Sequence, residues 1–167
     1  MPEVFLSLGS NLGDRVKNLE TAFRLLFENA GDAVRSSSLY ETEPWGFKHE
    51  RFFLNQVIRL NSYLSPHKIL ETIHLIEKSL GREREPGHYS ARTIDIDILF
   101  YDNLVMDTPG LTIPHPLIGQ RLFVLLPLKE IAPRLVHPVG GLSVVEMLEQ
   151  CDDKSLVRVY NPDLSHG

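Results

Sequence analysis

There is only one cysteine, Cys151, in the 167 residues. An internal disulfide is therefore excluded, and such a chain suits a reducing compartment. No apolar run approaches the length needed to span a bilayer. Met1-Pro2 leads straight into a strand pattern, without the basic segment and cleavage signal of a secreted precursor. A cytoplasmic protein with no membrane partner is expected. Positive charge is short as well: 17 Lys and Arg stand against 22 Asp and Glu, a net charge of −5. Nucleic-acid modules carry a basic surface, so that class is disfavoured, but a few arginines can still focus potential on a small anion. Repeats, low-complexity tracts and linkers are all missing, which leaves one domain with enough chain for a core. Gly9-Ser10-Asn11-Leu12-Gly13 lacks the third glycine of a dinucleotide fingerprint and the Gly-Lys-Ser/Thr end of a P-loop. It reads as a tight turn that the fold needs and that lies near a site.

What is present centres on Arg92-Thr93-Ile94-Asp95-Ile96-Asp97-Ile98-Leu99-Phe100. Alternation over this length predicts a strand with one buried face. Ile94, Ile96, Ile98 and Phe100 take one side; Thr93, Asp95, Asp97 and Leu99 take the other. The two carboxylates would stand about 6.6 Å apart along the strand, pointing the same way. Like charges so placed resist burial and invite a hard divalent cation, although a solvated outer face is the plainer reading of Asp-x-Asp alone. Arg82, Arg84 and Arg92 lie in or beside the loop feeding this strand. Carboxylates for a metal and arginines for phosphate make the combination that phosphoryl-type transfer requires.

Elsewhere, Val4, Leu6 and Leu8 mark a first strand stopping at Gly9. Val16, Leu19, Phe23, Leu26 and Ala30 recur at helical spacing, with Gly31 as the stop. Val34 to Thr42 predicts a second strand, broken by Pro44 and Gly46 around Trp45. The next strand carries Phe53, Asn55 and Val57 on one face. A mid-strand asparagine is unfavourable unless its amide finds partners; beside an aromatic, it could read the edge of a flat heterocycle. Ser65-Pro66 opens a helix with Ile69, Ile73, Ile76 and Leu80 as its buried stripe. After a short strand over Leu104 to Met106, two prolines keep Leu111 to Pro116 extended. Arg121 to Leu126 predicts a short helix stopped by Pro127, and Ser143-x-x-Glu146 is a capping box opening a last one. Val157 to Tyr160 could add an edge strand. The order predicts an α+β sandwich with a mostly antiparallel sheet and helices packed on it.

The residues resemble the 6-hydroxymethyl-7,8-dihydropterin pyrophosphokinase family over nearly the whole chain. Gly9-Ser10-Asn11-Leu12-Gly13, Tyr40-x-Thr42-x-Pro44-x-Gly46, Phe53-Leu54-Asn55, Gly81-Arg82, Arg92-Thr93-Ile94-Asp95-Ile96-Asp97, Ile113-Pro114-His115-Pro116 and Arg121-Leu122-Phe123-Val124-Leu125 carry the likeness in order. It implies a ferredoxin-like fold and a single pyrophosphokinase domain over residues 1–167. The implied reaction moves the β,γ-pyrophosphoryl group of MgATP to the pterin hydroxymethyl oxygen in folate biosynthesis, releasing AMP. By the same likeness, Asp95 and Asp97 would hold two Mg²⁺, and Arg82 and Arg92 would grip the migrating phosphates, with Arg84 assisting. Phe53 and Phe123 would sandwich the pterin while Asn55, Thr42 and the Pro44-Trp45 backbone read its polar edge. His74, Glu77, Ile98, Thr112, His115 and Arg121 fall where the family contacts ATP. A monomer acting on small molecules is implied.

This chain has Tyr89-Ser90-Ala91 where the family usually has Trp-Gly-Pro, Leu117 where an arginine often follows His-Pro, and Gln56 after the asparagine. The Arg82–Ala91 loop, with Pro86-Gly87 and few apolar anchors, is expected to act as a lid. Two alternatives use the same fold: another metal-dependent phosphotransferase, which has no use for the Phe53, Phe123 and Asn55 set, and a catalytically silent nucleotide-binding regulator, which would be free to lose Asp95, Asp97, Arg82 and Arg92.

Overall fold

The structure is a computed structural model that describes residues 1–43, 52–81 and 93–162. Strand β1 (Glu3–Ser10) leads through a turn to helix α1 (Arg15–Asn29). Asp14 caps that helix by accepting the Lys17 N–H at 3.1 Å. Strands β2 (Asp32–Ser36), β3 (Tyr40–Thr42) and β4 (Phe53–Asn61) follow, then helix α2 (Pro66–Ser79), which opens at Ser65-Pro66 as its sequence requires. Strand β5 (Asp95–Tyr101) precedes a hairpin of β6 (Met106–Thr108) and β7 (Leu111–Ile113). Helices α3 (Leu122–Ile131) and α4 (Val144–Gln150) and strand β8 (Val157–Val159) complete the order. The main sheet runs β5-β1-β4-β3-β8 with β2 also on β4, and each of its pairings is antiparallel. This is the α+β, ferredoxin-like arrangement expected.

Helices α1 and α2 cover one sheet face, burying Val4, Leu6, Leu8, Leu54, Ile58, Ile96 and Ile98 against Leu19, Leu26, Ile69 and Ile73. The other face is divided. At one end Phe5, Val57, Leu99 and Phe100 pack beneath α3 and α4, with Val124, Leu125, Leu128, Val144 and Met147. The rest of that face carries the polar residues of β5, β1 and β4. Among the described residues no helix is long and apolar enough to cross a membrane.

Five details differ from the sequence reading, the simplest being that the short strand expected over Leu104 to Met106 lies at Met106–Thr108. Phe100 does not share a face with Ile96 and Ile98. Phe5 opposes Phe100 while Leu6 opposes Ile98, so Leu99 is an extra residue in β5. This bulge turns Leu99 and Phe100 both into the second core, where Phe100 meets Phe5 edge-on at 6.2 Å. The stretch from Val34 to Thr42 is two short strands, because at Ser37 the hydroxyl replaces the backbone carbonyl as acceptor of the Val57 N–H, at 3.0 Å, while the Ser37 N–H still donates to the Val57 carbonyl at 2.9 Å. β1 continues through Gly9 to Ser10. Pro127 does not end α3. Proline removes one helical bond, here to the Phe123 carbonyl, but burial of Leu125, Leu128 and Ile131 on one stripe outweighs that loss.

Candidate functional site

β1 builds the floor of the polar face. Its Ser7 lies opposite Asp97 on one side and Val57 on the other; Gly9 lies opposite Asp95 and Asn55. Side chains directly opposite in a sheet share a face, so Asp95, Asp97, Asn55 and Phe53 all belong to one surface. With strands about 4.8 Å apart, Asp95 and Asn55 stand roughly 9.6 Å from one another across Gly9. Only a serine and a glycine occupy the strand between them, so the surface forms a trough there.

Gly9 has a second consequence. A Cβ at this position would lie 2.9 Å from Asn55 Nδ2 and 3.8 Å from the Phe53 ring. The missing side chain is the space that the Asn55 amide occupies. Beside it the Gly9–Gly13 turn is held internally: Asn18 Nδ2 donates to Ser10 Oγ at 3.1 Å and to the Leu12 carbonyl at 2.8 Å.

Asn55 is 5% exposed and Thr42 is 2% exposed. Asn55 Oδ1 and Thr42 Oγ1 are both buried without a hydrogen-bond partner among the described residues. Thr42 lies directly opposite Phe53 on the next strand, and Tyr40 opposite Asn55. Two unsatisfied polar atoms thus sit beside one half-buried aromatic ring. A buried orphan costs roughly 1–3 kcal/mol, which a ligand with complementary donors and acceptors recovers.

Asp95 and Asp97 are half-exposed on the trough. Between them, the Ile96 N–H points to the outer edge of β5 and donates to Glu77 Oε2 at 3.0 Å. Glu77 is 2% exposed, so this carboxylate caps the edge of the strand that presents the aspartates. His74 is exposed one turn earlier on α2. Ile98 is buried in the first core, which leaves its backbone, facing the same strand edge as that of Ile96, as its means of contact. Thr112 is exposed on β7, which packs on β5, and its hydroxyl donates to Asp107 Oδ1 at 3.1 Å.

His115 is pinned at the end of that edge. Its backbone N–H donates to the Leu99 carbonyl at 3.0 Å, and its ring Nδ1 accepts the Leu117 N–H at 3.1 Å. The neutral ring therefore carries its proton on Nε2. Burial, reinforced by the Arg121 charge and opposed by Asp95, lowers its pKa from 6.5 to about 4. Because the folded value is the lower one, the unfolded chain takes up this proton first as pH falls. His115 thus makes stability decline between about pH 6.5 and about pH 4, with no further loss below. In an NMR titration of the free protein, its ring signals should stay those of the Nε2–H tautomer down to pH 5. A midpoint near 6.5 would contradict the packing described. The Arg121 guanidinium carbon lies 5.4 Å from the centre of the half-buried Phe123 ring, so these two residues meet at the start of α3.

The described residues bring together Asp95, Asp97, Asn55, Thr42 and Phe53 on the sheet, and Glu77, Ile98 and His115 around β5. Arg82, Arg84, Arg92, Pro44 and Trp45, and the loop expected to act as a lid, lie outside the described residues. Sequence reading missed Gly9's clearance for Asn55, which no periodicity encodes. It also missed a buried ion pair behind Phe53. Arg15 Nη1 is 3.3 Å from Glu41 Oε2 and donates to the Phe52 carbonyl at 2.9 Å, while Arg158 Nε reaches Glu41 Oε1 at 3.4 Å. Glu41, 2% exposed, is thereby shared by two arginines.

Residues 5–133 match the family 7,8-dihydro-6-hydroxymethylpterin-pyrophosphokinase (HPPK). The chain is 46% identical over 141 residues to a 2-amino-4-hydroxy-6-hydroxymethyldihydropteridine pyrophosphokinase of Porphyromonas gingivalis, covering 83% of this chain and 95% of that one. It is 39% identical over 153 residues to the folic acid synthesis protein fol1 of Pneumocystis carinii, covering 92% of this chain but only 20% of that longer protein. Among solved structures, a chain described as HPPK-DHPS in complex with substrates superposes with a TM-score of 0.74 at 16% identity, over 89% of this chain and 43% of that one. That likeness speaks to fold alone. The sequence matches reach from β1 past α3 and take in every strand of the trough, and on that ground the chain belongs to the 7,8-dihydro-6-hydroxymethylpterin-pyrophosphokinase family.

Proposed function

We propose that the family's reaction, transfer of a pyrophosphoryl group from ATP to the hydroxymethyl group of 6-hydroxymethyl-7,8-dihydropterin, runs on this chain along the trough from Asp95 to Asn55. The observation that carries this reading is the pair of buried, unpartnered atoms, Asn55 Oδ1 and Thr42 Oγ1, beside Phe53. A pterin is flat, stacks on aromatic rings and presents a row of donors and acceptors along one edge. Phe53 and Phe123 take its faces; Asn55, Thr42 and the Pro44-Trp45 backbone take its edge. The separation of roughly 10 Å to Asp95 leaves room for the hydroxymethyl arm and the phosphorus it attacks.

Asp95 and Asp97 suit magnesium. Among the described residues no cluster of three or more His, Cys, Asp or Glu is present, and what those residues offer an ion on this face is the pair of carboxylates. Magnesium is commonly held in that way, by one or two carboxylates with substrate phosphates and water completing the shell. Held by Asp95 and Asp97, Mg²⁺ would neutralise charge on the triphosphate. The chain's own part is positional. Glu77 fixes the β5 edge, the Ile98 backbone and Thr112 meet the nucleotide base, His74 lies at the rim, and His115 Nε2–H and Arg121 donate to phosphate. Arg82 and Arg92 would grip the migrating phosphates with Arg84 assisting, a role supported by the likeness of Gly81-Arg82 and Arg92-Thr93-Ile94-Asp95-Ile96-Asp97 to the family's motifs.

A single pyrophosphokinase domain acting as a monomer on small molecules is part of the same reading, and the net charge of −5 disfavours nucleic acid as a partner. The half-buried free thiol of Cys151 fits the cytoplasm. Incubation with MgATP and the hydroxymethyl-dihydropterin should yield AMP in step with pterin diphosphate. ADP as the main pterin-dependent product would mean an ordinary kinase; no turnover with tight binding of both ligands would mean a silent regulator.

A further inference from the structure

Helix α3 begins without a cap of its own: Arg121, its N-cap residue, makes no side-chain hydrogen bond to the helix. The free N–H of Leu122 is instead taken by Asp153 Oδ2 at 2.9 Å, from a segment 31 residues further along the chain. Asp153 is itself held, because its Oδ1 accepts both the N–H of Ser155 at 2.8 Å and its hydroxyl at 2.5 Å. Burial raises the Asp153 pKa, but the bonds from Ser155 and Leu122 outweigh it and keep the carboxyl below its ordinary value. A carboxylate at a helix start also meets the positive end of the helix dipole.

The same segment runs on to the opposite side of the site. The Leu156 N–H donates to Glu43 Oε1 at 3.1 Å, and its carbonyl accepts the Glu43 N–H at 3.2 Å. β8 then pairs with β3, placing Val157 opposite Thr42, and Arg158 reaches the buried Glu41. Residues 153–158 therefore tie the start of α3, which carries Arg121 and Phe123, to β3, which carries Thr42. All of this segment lies beyond the 5–133 span of the family match.

We propose that Asp153 is a positioning residue for the acceptor substrate: it sets the start of α3, and so places Phe123 against the pterin opposite the Thr42 and Phe53 wall. This rests on the assignment of Phe123 to pterin stacking. A residue that merely stabilised the fold would lower the melting temperature without acting through Phe123. A positioning residue shows its effect in the affinity of the folded protein and loses it once the ring is gone.

The test is a double-mutant cycle read by pterin affinity in the presence of magnesium and a non-hydrolysable ATP analogue. Phe123→Ala should weaken pterin binding strongly. Asp153→Ala should weaken it about tenfold, raising KM while kcat stays within about twofold. The double variant should bind no worse than Phe123→Ala alone. Asp153→Asn, which retains one oxygen for the Leu122 N–H, should recover part of the affinity, and it carries the cycle if Asp153→Ala does not fold. Unchanged affinity in the Asp153 variants, or full additivity with Phe123→Ala, overturns the proposal. If Phe123→Ala binds pterin normally, the stacking assignment falls and the proposal with it. If Phe123→Ala is impaired and the Asp153 variants are not, the stacking assignment stands and only the proposal falls.

Discussion

Asp97→Ala and Asp95→Ala should each cost roughly a thousandfold or more in turnover while leaving the fold in place. The magnitude follows from what the carboxylates are asked to supply. Charge stabilisation by a bound divalent ion is worth several kcal/mol in the transition state, and each 1.36 kcal/mol is about tenfold in rate. Little stability is at stake, because both residues are half-exposed like charges on one strand face, and their backbone ladder to β1 does not depend on the side chain. Steady-state kinetics should be paired with a melting curve at the same magnesium concentration. Near-normal turnover in either variant would return both carboxylates to an ordinary solvated strand face. A collapse in melting temperature would mean that the acids are structural.

Asn55→Leu should separate stability from function. The side chain is 5% exposed, and its Oδ1 has no partner among the described residues. A leucine keeps the same branched heavy-atom skeleton and removes that unsatisfied atom, so the free protein should melt at the same temperature or higher. Pterin affinity, measured by calorimetry with magnesium and an ATP analogue, should fall roughly 30- to 150-fold, or about 2–3 kcal/mol. Gly9→Ala should reproduce this from the neighbouring strand. Its new Cβ would lie 2.9 Å from Asn55 Nδ2, the free end of a side chain that can rotate away. The fold tolerates that rotation; the ligand-reading position of the amide does not survive it. If both variants bind pterin normally, the orphaned atoms do not face the substrate.

The main elements were legible because their signals are local. The alternation of Ile94, Asp95, Ile96 and Asp97, the stripe of Ile69, Ile73 and Ile76 after Ser65-Pro66, and the Ser143–Glu146 capping box are each written within a few residues of chain. What escaped depends on neighbours far away in sequence. The Leu99 bulge is imposed by register against β1, since a strand of unbroken alternation gives no warning that Phe100 will turn. Pro127 reads as a stop, yet the helix runs through it because its apolar stripe is buried under the sheet. Asn55 was conspicuous as a polar residue in mid-strand, but the reason it fits, a glycine across the ladder, is visible only once β1 and β4 are paired. Glu77, apart from its family likeness, and Asp153 look from local spacing like ordinary surface acids. Their backbone partners, Ile96 and Leu122, are 19 and 31 residues away.

Manganese in place of magnesium turns the trough itself into something measurable. An ion held by Asp95 and Asp97 would lie within about 10 Å of the Gly9 amide and the Asn55 side-chain amide, two strands across. In the complex with manganese, an ATP analogue and pterin, those two NMR signals should broaden strongly, while Phe27 and Tyr63, exposed elsewhere on the surface, stay sharp. The broadening should disappear in Asp97→Ala. Sharp Gly9 and Asn55 signals in the fully liganded wild-type protein, with broadening centred elsewhere, would contradict the placement of metal and pterin on this face of the sheet.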